Sequence, residues 1–408
     1  MSDIFVAGVG MTRFAPHPNL SIKDLTREAV NEALADAGGT PSDIGAAFFG
    51  TVTQGALEGQ ISVPGEIALR SMGFSRIPVV NVENACATGS SAFHLAVAYL
   101  RGGMADVALA VGVEKMVVED MKKVMALFLG GVDVHNSEEI IGNLLALGEG
   151  IEAPEVPGHR TAFMDIYAAF ARAHMKAYGT TQRQMALVAA KNHFHSTMNP
   201  KCQFRKDMSV EEVLAGRPLG YPLTVPMCSP LSDGASAAVL CTREGLKRLK
   251  ASRPVKVYAS ILVTGSDRDP HDWGAHITRR AATLAYEQAG VGPSDMSLAE
   301  VHDASAIGEI LQTENLGFCE PGGGGALAES GGTRLGGRIP VNPSGGLECK
   351  GHPLAATGLA QLYELTLQLR GIARKRQVEN ARFAIAENGG ALYGYEEACA
   401  CVTILGKD

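Results

Sequence analysis

The chain has 408 residues, more than one hydrophobic core usually supports, so two domains are expected. Its 46% hydrophobic and 19% charged content is ordinary for a globular protein, and a net charge of −7 argues against nucleic acid as the main partner while leaving room for a local basic patch toward a phosphorylated ligand. No apolar run reaches the ~18 residues of a membrane helix, and eight cysteines without a CxxC suit reduced thiols in a cytoplasm, not a disulfide frame or a zinc knuckle.

Residues 4–10 read as a first strand, not a signal peptide, because no basic segment accompanies them. Ser21 can cap a helix running to about Ala37, with Leu25, Ala29, Ala33 and Leu34 on its inner face. A strand near Ala46–Gly50 follows Pro41-Ser42-Asp43. The apolar run Ile77–Val80 reads as the end of a buried strand, which turns through Asn84-Ala85-Cys86-Ala87-Thr88-Gly89. From Ser90 the apolar spacing is helical (Ala92, Leu95, Ala96, Tyr99, Leu100), so Cys86 stands where a strand feeds a helix N-terminus. Free N–H groups there can lower a thiol's pKa and make a nucleophile of it. Taken alone, a structural cysteine in a tight turn is the plainer reading. A strand Val107–Val113 comes next.

Residues 117–232 are Met-, His- and Gly-rich, with helical stretches at Ala162–Tyr178 and Gln184–His195, and read as an inserted lid. The first half resumes at the strand Ala235–Thr242. Later segments then repeat earlier ones. Pro293-Ser294-Asp295 matches Pro41-Ser42-Asp43 at an offset of 252 and leads to the strand Leu298–Val301. Leu369-Arg370-Gly371 matches Leu100-Arg101-Gly102 at an offset of 269 and leads to the strand Phe383–Ala386. The Gly-rich segment 322–337 accounts for most of the extra length, and Gly322–Gly325 reads as a connector, not a phosphate loop. A duplicated βαβαβ unit therefore places the Cys86 loop opposite the loop that holds His352. The expected division is 1–116 with 233–250, the insertion 117–232, and 251–408.

Three loops converge by this topology: Cys86, His302-Asp303, and Asn342 to Pro353; a fourth, Glu387-Asn388-Gly389-Gly390, follows the last-but-one strand. A cysteine nucleophile needs a base and oxyanion donors. His352 is the best base and His302 the best side-chain donor. Blander readings cover several other residues. His193 and His195 fall on different sides of a helix, and no metal is expected. Lys201, Arg205 and Lys206 read as a contact for a ligand's phosphates or as a solvated basic face. Cys349 reads as structural, and Cys399 and Cys401 as core. Met121, Met125, Leu127 and Phe128 read as an apolar ligand pocket or as lid packing.

Asn84 to Ser90, His302-Asp303, Asn342-Pro343-Ser344-Gly345-Gly346, Gly351-His352-Pro353, Asn199-Pro200-Lys201 and Ser229 to Gly234 together resemble the thiolase superfamily, in its sterol-carrier-protein-type branch with bacterial and archaeal acetyl-CoA acetyltransferases. The resemblance implies an α/β thiolase fold: duplicated halves in α-β-α-β-α layers with an inserted loop domain. It implies a Cys86 acyl-thioester, His352 as activator, His302 as oxyanion donor, Ser229 on the pantetheine arm of coenzyme A and Gly390 as a backbone oxyanion donor. It implies cleavage of a 3-oxoacyl-CoA by CoA, or the reverse Claisen condensation, in a homodimer. An Asn-Gly-Gly last loop further implies a small zinc-binding OB-fold partner subunit.

The chain departs from the family at the second cysteine, where Glu387 or Asn388, and Ala304, stand instead. Asn388 can orient a water or a carbonyl but cannot act as a general base, whereas Glu387 can titrate if buried. The tail Tyr393–Glu397 also departs and is placed to reshape the pocket. A C–C lyase or C-acyltransferase subunit, and a catalytically silent subunit, remain the rival readings. A serine hydrolase does not fit, since no Gly-x-Ser-x-Gly follows a strand.

Overall fold

A computed structural model describes residues 2–154, 156 and 161–407. The strands of the main sheet are β1 (Ile4–Met11), β2 (Ala46–Gly50), β3 (Val79–Val82), β4 (Val107–Glu114), β5 (Gly234–Thr242), β6 (Val255–Thr264), β7 (Leu298–Glu300), β8 (Phe383–Gly390) and β9 (Cys399–Gly406); Pro218–Gly220 and Leu223–Thr224 pair separately. The helices that position the site are α1 (Ile22–Ala37), α2 (Thr88–Arg101), α3 (Met121–Leu129), α4 (Ala162–Tyr178), α5 (Gln182–Ser196), α6 (Ile277–Ala289), α7 (Ala306–Asn315) and α8 (Leu354–Arg370). Ser21 caps α1 in a capping box with Asp24, as its sequence position suggests.

The repeat is visible in the topology. The first half orders its strands β3-β2-β4-β5-β1 and the second β6-β9-β8-β7, with Val341 bridging the outer side of β7. Read outward from the β1–β6 contact, the two halves carry corresponding strands. That contact pairs only Ile4–Val6 with Val255–Val257 and links the strands of the two sheet layers into one nine-stranded ladder. Both Pro-Ser-Asp segments form single 3₁₀ turns ahead of a parallel strand.

Side chains alternate across the strands and so sort the core by face. Phe5, Ala47, Phe49 and Leu109 pack with α1, whereas Val6, Phe48, Ala110, Ala384 and Leu405 pack with α2 and α8. Ile385, Val402 and Ile404 pack with α6. Helices α2 and α8 thus form the shared middle layer, covered on both sides by sheet.

Two glycines explain how closely the middle helices approach. A Cβ on Gly89 would lie 2.4 Å from the Ala355 carbonyl oxygen, and one on Gly358 2.0 Å from Ser90 Oγ. These glycines are separated by 269 positions, the repeat's own offset. Each helix has kept the small residue that lets the other in.

Three expectations change. Strand β3 lies at the sheet edge, and Val80 is 40% exposed, so Ile77–Val80 is not buried. The helix after Cys86 begins at Thr88, preceded by a 3₁₀ turn over Ala85–Ala87. Glu387 to Gly390 continue β8 against β9 and are not a loop.

Candidate active site

Strand β3 delivers Cys86 through a strained turn. Ala85 adopts φ +48°, a left-handed conformation that disfavours a side chain, and its N–H donates to Glu83 Oε1 at 2.6 Å. Asn84 is tied to α2 through its N–H to Thr88 Oγ1 (2.8 Å) and its side chain to Ser91 Oγ (2.9 Å). The backbone N–H groups of Cys86 and Ala391 favour the Cys86 thiolate. Even so, burial pushes the thiol up to about 12, with Cys399 and Glu114 acting in the same direction. The expected lowering at a helix N-terminus is therefore reversed: loss of water outweighs the donors. Cys86 rests as a thiol and needs a base at the moment of attack.

An imidazole nitrogen lies within reach of the thiol. His352 Nε2 stands 3.3 Å from Cys86 Sγ. Its Nδ1 lies 2.7 Å from Thr357 Oγ1, and the Thr357 hydroxyl donates to the Pro353 carbonyl at 3.0 Å. Thr357 can then only accept from Nδ1–H, which assigns the tautomer and leaves the Nε2 lone pair facing the thiol. Burial, then His302 and Lys350, hold His352 well below the ordinary histidine range, so it is neutral. The loop itself is pinned: Ser344 Oγ donates to Glu300 at 2.6 Å and Lys350 Nζ to the same carboxylate at 3.2 Å, all buried. Gly351 has φ +103°, and a Cβ there would lie 2.2 Å from Ser232 Oγ.

His302 completes the centre. Its Nε2 is 3.3 Å from His352 Nε2, and its own N–H donates to Glu387 Oε2 at 3.0 Å. Burial lowers it to about 4, so this imidazole is neutral and offers Nε2–H as a donor. Asp303 accepts from Leu347 N (2.8 Å) and Asn192 Nδ2 (3.2 Å), fixing the two histidine loops to each other. Among the described residues, Cys86, His302 and His352 form the one cluster of three possible metal-ligand atoms this close together, within 4.8 Å.

Other expected residues divide. Ser229 and Gly390 line the same cavity as Cys86. Gly390 abuts the nucleophile turn, where a Cβ would meet the Asn84 carbonyl at 2.3 Å, and the N–H of the next residue, Ala391 at φ +55°, favours the Cys86 thiolate. Sequence reasoning missed Ala391; the signal was its place directly after Gly389-Gly390. Asn388 is not on the cavity wall. Strand alternation turns it toward the crossing of the middle helices, where its Oδ1 accepts from Ser90 Oγ at 3.2 Å. Glu387 is buried and raised to about 8 by desolvation, then by Glu397, but it buttresses the His302 backbone and does not face the cavity.

The cavity measures about 610 Å³. Met125, Leu127, Phe128, Phe163, Met164 and Tyr167 of the inserted segment form its apolar wall; Met121, 43% exposed, does not reach it. Lys201 is spent on Glu32 (2.6 Å) and the Met11 carbonyl, so it does not await a phosphate. Arg205 donates to the Thr197 carbonyl and Lys206 pairs with Glu212. The exposed cation at the cavity is Arg217, which the sequence did not single out. His193 and His195 bond to backbone groups of Lys206, Pro226, Asn342 and Leu335, and ligate nothing together.

A thiol, a neutral imidazole oriented to deprotonate it and N–H donors that favour its thiolate, brought together by two related α/β halves, define an acyl-transfer enzyme with a cysteine nucleophile. The chain belongs to the thiolase family: the thiolase N-terminal domain matches residues 4–213, and a thiolase C-terminal domain-like model residues 264–407. It is 38% identical to bovine (Bos taurus) "Sterol carrier protein 2", covering 95% of this chain and 71% of that one. It is 37% identical to "Acetyl-CoA acetyltransferase" of Methanothermobacter thermautotrophicus, covering 97% and 98%. The "Ltp2-ChsH2(DUF35) aldolase" structure shares the fold, with a TM-score of 0.79, 24% identity and coverage of 100% and 98%. The protein is a coenzyme A-dependent acyltransferase of the thiolase type.

Proposed function

We propose that the enzyme cleaves a 3-oxoacyl-CoA carrying a bulky apolar acyl group, or runs the reverse condensation, through an acyl-thioester on Cys86. His352 Nε2 takes the thiol proton as the sulfur attacks the C3 carbonyl. The N–H groups of Cys86 and Ala391 hold the resulting oxyanion. The C2–C3 bond breaks, leaving acyl on sulfur and an acetyl-CoA enolate, whose oxygen takes the His302 Nε2–H hydrogen bond. Free CoA then removes the acyl group. Ser229 and Arg217, on the cavity lining, bind the pantetheine arm and the phosphates. The observation that carries the reading is the 3.3 Å approach of His352 Nε2 to Cys86 Sγ. The apolar wall of the insertion, treated as residues 117–232 between a first half of 1–116 with 233–250 and a second of 251–408, supports a large acyl group.

A C–C lyase reading is favoured by one feature, the lack of a second cysteine at Ala304, Glu387 and Asn388. Steady-state turnover of 3-oxoacyl-CoA with and without free CoA separates the two: the thiolase reading requires a strict dependence on CoA, and unchanged cleavage without it favours the lyase.

The edge strand β3, with Val80 exposed and Ile61, Val63 and Ile67 exposed nearby in the chain, supports a homodimer. Exposed Met121, Leu129 and Val134 on the inserted segment support docking of a small zinc-binding OB-fold subunit. Eight free cysteines support a reducing, cytoplasmic setting; among the described residues no helix is long and apolar enough to cross a membrane.

A further inference from the structure

We infer that Glu397, on the segment joining the last two strands, is the acid/base that exchanges the proton at the α-carbon of the departing acetyl-CoA. The inference rests on the acyl-transfer reading and fills the role left open at Ala304, Glu387 and Asn388.

The cavity that holds Cys86, His302 and His352 is also lined by Glu397. Its side chain lies directly on Gly389: a Cβ there would be 2.6 Å from Glu397 Cγ and 3.0 Å from Oε1. The next residue, Gly390, touches the nucleophile turn. The glycine pair thus places a carboxyl beside the reacting centre, where any larger residue would evict it.

The carboxyl is oriented by two neighbours, Gln312 and His276. Gln312 Nε2 donates to Oε1 at 3.2 Å. His276 Nδ1 accepts the Thr278 N–H at 3.2 Å, so its proton sits on Nε2, which faces Oε2 at 3.4 Å. Oε2 is buried against His276 and makes no aligned hydrogen bond among the described residues, so the carboxyl is only partly held. The charged and titratable groups around it are Glu396 and Arg268, which pair with each other at 2.8 Å, and His276, Glu387, Cys399 and Tyr167. Burial, with Glu396 adding to it, raises Glu397 to about 7, so both its forms are available near neutrality. Glu83, the other carboxylate on the cavity, is exposed and committed to the Ala85 N–H at 2.6 Å.

The protons balance. In cleavage, the C2–C3 electron pair becomes the acetyl-CoA enolate, and neutral Glu397 gives its proton to C2. The resulting carboxylate takes the proton of the incoming CoA thiol as that sulfur attacks the Cys86 thioester. Cys86 leaves as thiolate and recovers its proton from His352. In condensation, the Glu397 carboxylate removes the α-proton of acetyl-CoA.

The test follows exchange of the acetyl-CoA methyl protons with D2O by NMR, alongside acyl loading of Cys86 by intact-protein mass spectrometry. E397Q is expected to load Cys86, more slowly than wild type because the same carboxyl serves the CoA thiol, and to lose methyl exchange by about 10²-fold or more once loaded; E397D, with the same group on a shorter arm, recovers part of it. Exchange in loaded E397Q within about threefold of wild type, or loss in E83Q instead, overturns the assignment. If E397Q does not load because it fails to fold, the E397D exchange rate decides: a rate equal to wild type with an unchanged pH profile overturns it, and a reduced rate with a shifted profile supports it. Failure of the wild type to load Cys86 overturns the acyl-transfer reading itself, a separate outcome.

Discussion

The Cys86 turn and the His352 loop descend from matching places in the two halves, yet they are held in opposite ways. The Cys86 turn hangs from a partly exposed edge strand and relies on a strained alanine and a glutamate–amide bond at 2.6 Å. The His352 loop is buried throughout and braced by Glu300, Ser344 and Lys350. The proposed nucleophile sits on the more exposed of the two loops, and the proposed base on the one that keeps it neutral and oriented. Duplication supplied the placement, and divergence supplied the chemistry.

The first way to break this comparison is to remove the sulfur. Cys86→Ala is expected to abolish acyl-enzyme formation and thiolysis together, measured by mass spectrometry and by CoA-dependent turnover. Removing the base comes next: His352→Ala should lower thiolysis by about 10²-fold or more, while thermal unfolding stays close to wild type if the loop's bracing lies in Glu300 and Lys350. The crossing of the middle helices tests the shared geometry. Gly358→Ala places a Cβ 2.0 Å from Ser90 Oγ, so urea unfolding should show a loss of about 1–3 kcal/mol, with weaker acylation because Cys86 and His352 are displaced from each other.

The pH dependence sharpens the contrast. Because His352 is held well below an ordinary histidine, the base stays unprotonated as pH falls through about 6.5. Single-turnover acylation should not fall as pH drops from about 7.5 to 5.5; a tenfold drop centred near 6.5 would mean an exposed, ordinary base. The smallest effect concerns Glu387. Its folded pKa is raised to about 8, so the unfolded chain releases that proton first and stability falls as pH rises from about 4.5 to 8. Glu387→Gln removes this loss. Its melting temperature relative to wild type should rise by a few degrees across that window and level off above it.

Much of the fold could be read from the chain because helix caps, Pro-Ser-Asp turns and the 252 and 269 offsets are local signals. Cys86 and His302 were legible because each follows a strand, and His352 because the repeat sets its loop opposite that of Cys86. What was not legible depended on facing and desolvation. The sequence shows that Asn388 follows Glu387 but not that alternation turns one to the helix crossing and the other to the His302 backbone. It places Cys86 at a helix N-terminus but cannot weigh that dipole against burial, which wins. It gives no reason to prefer Ala391 to Gly390, although the N–H that favours the thiolate is that of the left-handed alanine. Lys201 looked available because its partners, Glu32 and the Met11 carbonyl, are remote in sequence.

The central claim is that the first half's sulfur and the second half's imidazole act as one acyl-transfer unit. Incubation with acyl-CoA followed by intact-mass measurement and peptide mapping tests it most directly. The account predicts one acyl group per chain, located on the Cys86 peptide, forming much more slowly in His352→Ala. An unmodified chain, or an acyl group mapped to another cysteine, would contradict it.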